Sequence, residues 1–198
     1  MSETQKLRID LTKSVTPWSA TLKLKRLAWN IVQAVIFKNT PKKMGRKLRA
    51  SLLKMFGATL GKDVYILSSV KTLCPWNLTV GDGCVIGADV ELYNFAPIVI
   101  GDQTQISQRT FLCTGSHDFT DPIMPLTFEP IHIGSEVWIA SECFVGPGRT
   151  IGNGVVVGAR SVVAKDLPEW MVCAGHPCKP IKPRIIRDES EIQRRDYE

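Results

Sequence analysis

Aliphatic residues recur every sixth position through the middle and C-terminal parts of the chain. Val80, Ile86 and Leu92 form one set, and Ile100, Ile106 and Leu112 a second. Ile133, Ile139 and Val145 form a third, and Ile151, Val157 and Val163 a fourth. Glycine follows at seven of the twelve, at positions 81, 87, 101, 134, 146, 152 and 158, and alanine at 140 and 164. A period of six fits neither a helix (3.6) nor one continuous strand (2). It fits a short strand, a corner, and another strand. The aliphatic residue points inward, and the small residue permits a tight turn or close packing. Three such sides close a triangular coil of about eighteen residues, and stacked coils bury the aliphatic column. Val, Ile and Leu together fill about a quarter of the chain. Twelve hits in register would then arise by chance about once in 10^7, which sets aside a β-sandwich with fortuitous spacing. The pattern predicts an all-β solenoid, a parallel β-helix of hexapeptide repeats.

A weaker coil is expected around Leu60-Gly61 and Ile66, interrupted by Pro75-Trp76-Asn77. Residues 1–57 carry no hexads. Leu22, Leu24, Leu27, Ile31, Val35 and Ile36 predict an amphipathic helix; Leu48, Leu52, Leu53, Met55 and Phe56 predict a second, ended by Gly57. Pro41 separates them. The chain thus divides into a basic helical segment 1–57, a solenoid 58–167 with a projecting loop 113–132, and an extension 168–198. A solenoid needs capped ends, because an open coil exposes unpaired backbone. The bland expectation for 1–57 is an N-terminal helical cap. The sharper one is a membrane-surface patch, from Lys38, Lys42, Lys43, Arg46, Lys47, Arg49 and Lys54 beside apolar helix faces.

Charge sharpens this division. The net charge of the 198 residues is +6, with 13 Lys/Arg against 2 Asp/Glu in residues 1–60 and 12 against 17 in the remainder. No nucleic-acid-reading motif accompanies the basic segment, so nucleic acid is not expected as a partner. Met1 to Asp10 lacks the apolar run of a signal peptide. The six cysteines show neither Cys-x-x-Cys nor zinc spacing and read as reduced thiols of a cytoplasmic protein.

The breaks in the repeat are where chemistry is expected. Twenty-one positions separate Leu112 from Ile133, read as one coil with a short excess. The irregular loop there holds His117, one of three histidines. A long loop on a rigid scaffold is a common place for function. An imidazole can take a proton from a weakly acidic hydroxyl near neutral pH.

Several stretches resemble the hexapeptide-repeat acyltransferases. They are Ile133-Gly-Ser-Glu-Val-Trp138-Ile-Ala-Ser141, Gly146-Pro147-Gly148-Arg-Thr-Ile151-Gly152, Val157-Gly158-Ala159 through Asp166, and Ala174-Gly175-His176-Pro177-Cys178-Lys179-Pro180. The likeness is to the galactoside and maltose O-acetyltransferase group. Pro75-Trp76-Asn77-Leu78, Leu92-Tyr93-Asn94 and Cys113-Thr-Gly-Ser-His117-Asp118 resemble more narrowly the colanic acid biosynthesis acetyltransferase branch.

The resemblance implies a left-handed coil, a homotrimer with sites between subunits, and an acetyl-CoA-dependent O-acetyltransferase acting on a sugar or exopolysaccharide precursor. It implies His117 as the catalytic base and Asn94 as an acceptor contact, with Tyr93 and Asp118 beside them. Ser141 is the candidate donor near the thioester. Trp138 is expected to face outward along the cofactor groove or a subunit seam. Gly158, Ala159, Lys165, Lys179 and Arg184 are the remaining cofactor candidates. His176 stands where the family often has Asn. His132 and Glu129 receive no firm role.

Four rivals remain open. Cys113 could be a nucleophile with His117 as its base. Histidines could hold a metal, although His117, His132 and His176 are not closely spaced and none is expected. The solenoid could also be a non-catalytic scaffold, or act on a non-sugar small molecule.

Overall fold

The computed structural model describes residues 8–14, 16, 18–41 and 45–188. Lys42 and Lys43 of the basic run, residues 1–7 and the end of the extension from residue 189 lie outside the described residues. The chain from Thr59 onward winds as a parallel β-helix with three sheets. Two of them hold five strands each, and the third holds six parallel strands and one returning antiparallel strand. All twelve aliphatic residues of the six-residue pattern are buried, none more than 3% exposed. The weak first coil is also present: Thr59–Leu60 and Tyr65–Ile66 are strands, paired in parallel with the next coil.

The corners divide two jobs that the sequence leaves joined. The glycine after the aliphatic residue serves close packing. A Cβ added at Gly81 would lie 2.8 Å from the Asp102 backbone nitrogen. The turn itself is made three residues after the aliphatic, where the backbone enters the left-handed region. Gln103, Arg109, Glu136, Glu142 and Arg160 all do so with φ between 53° and 61°. Left-handed backbone is costly for a residue with a Cβ, so the stacked coils must hold it in place. Part of that hold is a ladder of side-chain acceptors. Asp102 Oδ1 accepts from Asp82 N at 2.7 Å, and Asn153 Oδ1 accepts from Ser135 N at 2.8 Å.

Coil length is not uniform. Thr59 and Leu60 pair with residues twenty further on, as do Leu78 to Val80. Ile100 pairs with Ile133, thirty-three residues on, and Ile133 with Ile151, eighteen on. The step from Leu112 to Ile133 is therefore one side of a coil plus a fifteen-residue insertion, not a nearly complete coil. Nor is the insertion irregular. Gly115–His117 and Leu126–Phe128 form an antiparallel hairpin.

Two helices, α1 (Ala20–Val32) and α2 (Arg46–Met55), cover the open first coil. A π-helical turn, Gln33–Phe37, extends α1. Ser19 caps the start of α1 by accepting from Leu22 N at 3.2 Å. The helices satisfy the coil's free backbone groups. Trp29 Nε1 donates to Thr72 O at 2.7 Å, and Gln33 Oε1 accepts from Thr72 N at 2.8 Å. Arg49, fully buried, donates through Nε to Ile66 O at 2.7 Å. Arg49 therefore belongs to the cap and not to a surface patch. The inward residues of α1 and its extension are Trp29 and Phe37. Leu24, Leu27, Ile31 and Val35, four of the six apolar positions that predicted this helix, are 56–67% exposed.

Candidate active site

His117 ends the first strand of the hairpin, opposite Leu126. Its Nδ1 lies 2.8 Å from the Met124 carbonyl oxygen. A carbonyl only accepts, so Nδ1 carries the proton. In the neutral ring Nε2 then keeps a free lone pair. Met124 presents that carbonyl from a left-handed turn, with φ of 45°. The imidazole is exposed, and its tautomer and direction are set by backbone.

Asp118 does not orient the ring. Its Oδ1 accepts from Thr120 N at 2.9 Å and from the Thr120 hydroxyl. The Thr120 hydrogen bonds hold its carboxyl below the ordinary carboxylate value. Asn94 also departs from expectation, because it is fully buried. Its amide is engaged on both sides with the backbone of Cys74, so it presents no free group to an acceptor. Tyr93 is half-buried, with its ring edge-on to Phe95 at 4.8 Å and to Phe111 at 5.8 Å.

An aromatic cleft adjoins the hairpin, and no periodic signal in the sequence marks it. Directly paired residues of a ladder point to the same side. Gly115, paired with Phe128, and His117, paired with Leu126, therefore share one side of the hairpin. Gly115 lets that side close onto the aromatic rings, for a Cβ there would lie 3.1 Å from Phe95. Phe128 stacks on Phe95 with centroids 6.4 Å apart, and Phe95 meets Trp18 edge-on at 5.3 Å. Trp18, Trp76, Phe95 and Phe128 line the cleft. Two cations flank it. Lys25 Nζ lies 4.3 Å above the Trp76 ring, and the Arg26 guanidinium 4.6 Å from Trp18. Arg26 Nε is buried without a hydrogen-bond partner.

The cofactor candidates lie elsewhere on the coil. Ser141 and Ala159 occupy equivalent corners of successive coils, joined by Arg160 N donating to Ser141 O at 2.9 Å. Gly158 N donates to Cys173 O at 2.8 Å, and a Cβ on Gly158 would lie 2.9 Å from Ala174 Cβ. These stacked corners carry little side chain beyond the backbone and make a track of small residues along the coils. Trp138 is 46% exposed beside it, with Nε1 donating to Ser107 Oγ at 3.0 Å. Lys165 and Lys179 are exposed. Arg184 differs, because its Nη1 donates to Glu136 O at 2.6 Å and Gly154 O at 3.0 Å. That guanidinium ties the C-terminal strand to the coils.

The hairpin and the track sit at opposite edges of one sheet. The hairpin leaves after the strand Phe111–Cys113, whereas Ser141 precedes the strand Phe144–Val145 stacked upon it. A six-residue side spans about 20 Å at roughly 3.3 Å per residue. One chain therefore does not bring the Ser141 corner beside the root of the His117 hairpin.

The thiols offer no rival. Cys113 is buried, and burial raises its thiol above the ordinary 9.0, so it is protonated at neutral pH. Among the described residues no three His, Cys, Asp or Glu side chains are grouped to hold a metal ion.

Residues 130–165 match the family described as bacterial transferase hexapeptide (six repeats). The WcaF protein of Escherichia coli K12, whose given name assigns it to colanic acid biosynthesis as an acetyltransferase, is 48% identical over 157 residues. The match spans 79% of this chain and 86% of that one. Galactoside O-acetyltransferase of Escherichia coli K12 is 31% identical over 144 residues, 71% of each chain. The solved structure of a galactoside acetyltransferase in complex with coenzyme A superposes with a TM-score of 0.79 at 26% identity. It covers 96% of this chain and 98% of that one. The coil is thus the left-handed β-helix of these enzymes. Repeat, coil and relatives agree, and the chain belongs to the hexapeptide-repeat acetyltransferases.

Proposed function

We infer that this acetyltransferase moves an acetyl group from acetyl-CoA to a hydroxyl of a sugar or exopolysaccharide precursor, with His117 as general base in direct transfer. The observation that carries the reading is the His117 Nδ1 to Met124 carbonyl hydrogen bond, which leaves Nε2 as an oriented base. A sugar hydroxyl is too weak an acid to attack a thioester unaided at neutral pH. His117 Nε2 takes its proton while the oxygen bonds to the thioester carbon. The carbon–sulfur bond then breaks, and the imidazolium returns the proton to the departing thiolate. Such a base contributes typically about 10^2–10^4 in rate. The oxyanion formed on the way needs fixed donors, and the Ser141 hydroxyl is the candidate.

The donor's pantetheine arm is assigned to the Ser141, Gly158 and Ala159 track beside Trp138. Lys165 and Lys179 are the candidates for its phosphates. Because the hairpin and the track lie at opposite edges of a sheet, the site needs a neighbouring chain. That supports a homotrimer in which one protomer's His117 faces another's track.

The acceptor is assigned to the aromatic cleft. Sugar rings present C–H faces that stack on aromatic side chains. Phe128, on the same side of the hairpin as His117, would place the ring against the base. The Arg26 guanidinium beside Trp18 gives the edge of the cleft positive charge for an acceptor oxygen.

Cytoplasmic residence belongs to the same reading, supported by six free cysteines. Among the described residues no helix is long and apolar enough to cross a membrane. Contact with a membrane surface is a separate proposal, carried by α1 and not by the site.

Thiol release from acetyl-CoA, measured against a panel of monosaccharides, sugar nucleotides and oligosaccharides, tests the reading. Turnover that depends on a saccharide supports it. Turnover with none of them, in a protein that binds CoA, would remove the sugar acceptor.

A further inference from the structure

Helix α1 is apolar on two opposite sides. One side, with Trp29 and Val32, packs on the first coil. Leu24, Leu27, Ile31 and Val35 follow one another at spacings of three and four, which puts them on a single stripe of the other side. They are 67%, 56%, 56% and 63% exposed. A helix that covers the end of a solenoid would ordinarily be polar on its outer side, and this one carries an apolar stripe there. Lys23 lies on α1 beside Leu27 and flanks the stripe, whereas Lys25 is turned to Trp76.

The charge around it selects the occupant. Residues 11–62 contain twelve Lys/Arg and no Asp or Glu. A second copy docked symmetrically on this stripe would bring two such segments together, with no carboxylate between to offset the repulsion. An anionic surface meets both features at once: apolar depth for the stripe and negative charge for the lysines.

We propose that the outer stripe of α1 and its π-helical extension lies in the interface of an anionic lipid membrane, with Leu24, Leu27, Ile31 and Val35 inserted and the basic side chains of the segment, Lys23 among them, at the headgroups. The helix lies in the plane of the surface and does not span it. The inference does not depend on the identity of the acceptor.

The test uses the full chain with two kinds of vesicle, phosphatidylcholine alone and phosphatidylcholine mixed with phosphatidylglycerol, read by co-sedimentation. The expected result is binding to the anionic vesicles only. It should weaken at least tenfold as salt rises from about 0.1 M to about 1 M, which shortens the screening length from about 10 Å to about 3 Å. Leu27→Glu with Ile31→Glu should abolish it. Both side chains face solvent, so the double variant should keep its melting temperature, its size in solution and its acetyl-CoA turnover. Leu27→Ala with Ile31→Ala should give partial loss, which separates apolar depth from added charge. Binding that ignores the variants, equal binding to neutral vesicles, or no binding would overturn the proposal. A double glutamate variant that changes oligomeric size would also overturn it, because the stripe would then be covered by another copy.

Discussion

Asn94 and Cys74 are joined by a reciprocal pair of hydrogen bonds across two coils. Asn94 Oδ1 accepts from Cys74 N at 2.9 Å, and Asn94 Nδ2 donates to Cys74 O at 2.7 Å. Both residues sit at the wide third corner, where the early coils carry two residues more than the later ones. The asparagine supplies the pairing that a regular corner gets from its neighbour's backbone. Asn94→Ala would strand two buried backbone groups at about 1–3 kcal/mol each, a loss of roughly 2–6 kcal/mol. Denaturant unfolding measures it. A tenfold rise in acceptor KM at unchanged stability would instead restore the acceptor role expected from the sequence.

The cleft assignment separates two Michaelis constants. Removing one aromatic face costs about 0.5–1.5 kcal/mol beyond its area. Phe128→Ala should therefore raise acceptor KM about tenfold and leave acetyl-CoA KM unchanged. Equal changes in both, or neither, would detach the cleft from the acceptor.

Sharing of the site between chains is open to complementation. His117→Ala lacks the base, and Ala159→Trp should obstruct the track at an exposed corner. Each variant alone should be inactive. Trimers assembled from both should regain activity, because some interfaces then hold an intact base opposite an intact track. Mixed trimers as inactive as their parents would place each site within one chain.

The buried thiols make stability depend on alkaline pH. Burial pushes Cys74 up to about 12 and Cys178 to about 11, from an ordinary 9.0. Below pH 9 folded and unfolded chains hold these protons alike. Above it the unfolded chain releases protons that the folded chain keeps, so stability falls as pH rises. The loss should run from pH 9 to about 11 for Cys178 and to about 12 for Cys74. Thermal unfolding across that range should fall less steeply in Cys74→Ala with Cys178→Ala. Cys113→Ala, assayed by thiol release from acetyl-CoA, should retain turnover within a few-fold.

The solenoid was legible because its repeat is enforced at every coil. Each inward aliphatic residue is buried by the same neighbours in the coils on either side, so Val80 to Val163 all carry the signal. The left-handed corner residues were not legible. Arg109, Glu142 and Arg160 adopt that conformation because stacking holds them there, and nothing in their side chains announces it. The hairpin was seen as a break, and His117 was found through it, but the Met124 carbonyl that orients the ring is backbone and leaves no mark in the sequence. The cleft is not legible in the sequence for a related reason. Trp18, Trp76, Phe95 and Phe128 come from four separate segments, and only the folded chain brings them together. Asn94 and Asp118 show the converse difficulty. Their residue types suit an acceptor site, yet local backbone groups claim them first.

Turnover of acetyl-CoA in His117→Ala and His117→Asn, with CoA binding read in parallel, tests the central claim most directly. Asparagine can still donate to the Met124 carbonyl but supplies no base. The account predicts that both variants bind CoA as the parent does and lose about 10^2–10^4 in rate. Parent-like turnover in His117→Asn, whose side chain keeps the hydrogen bond and lacks the base, would contradict it.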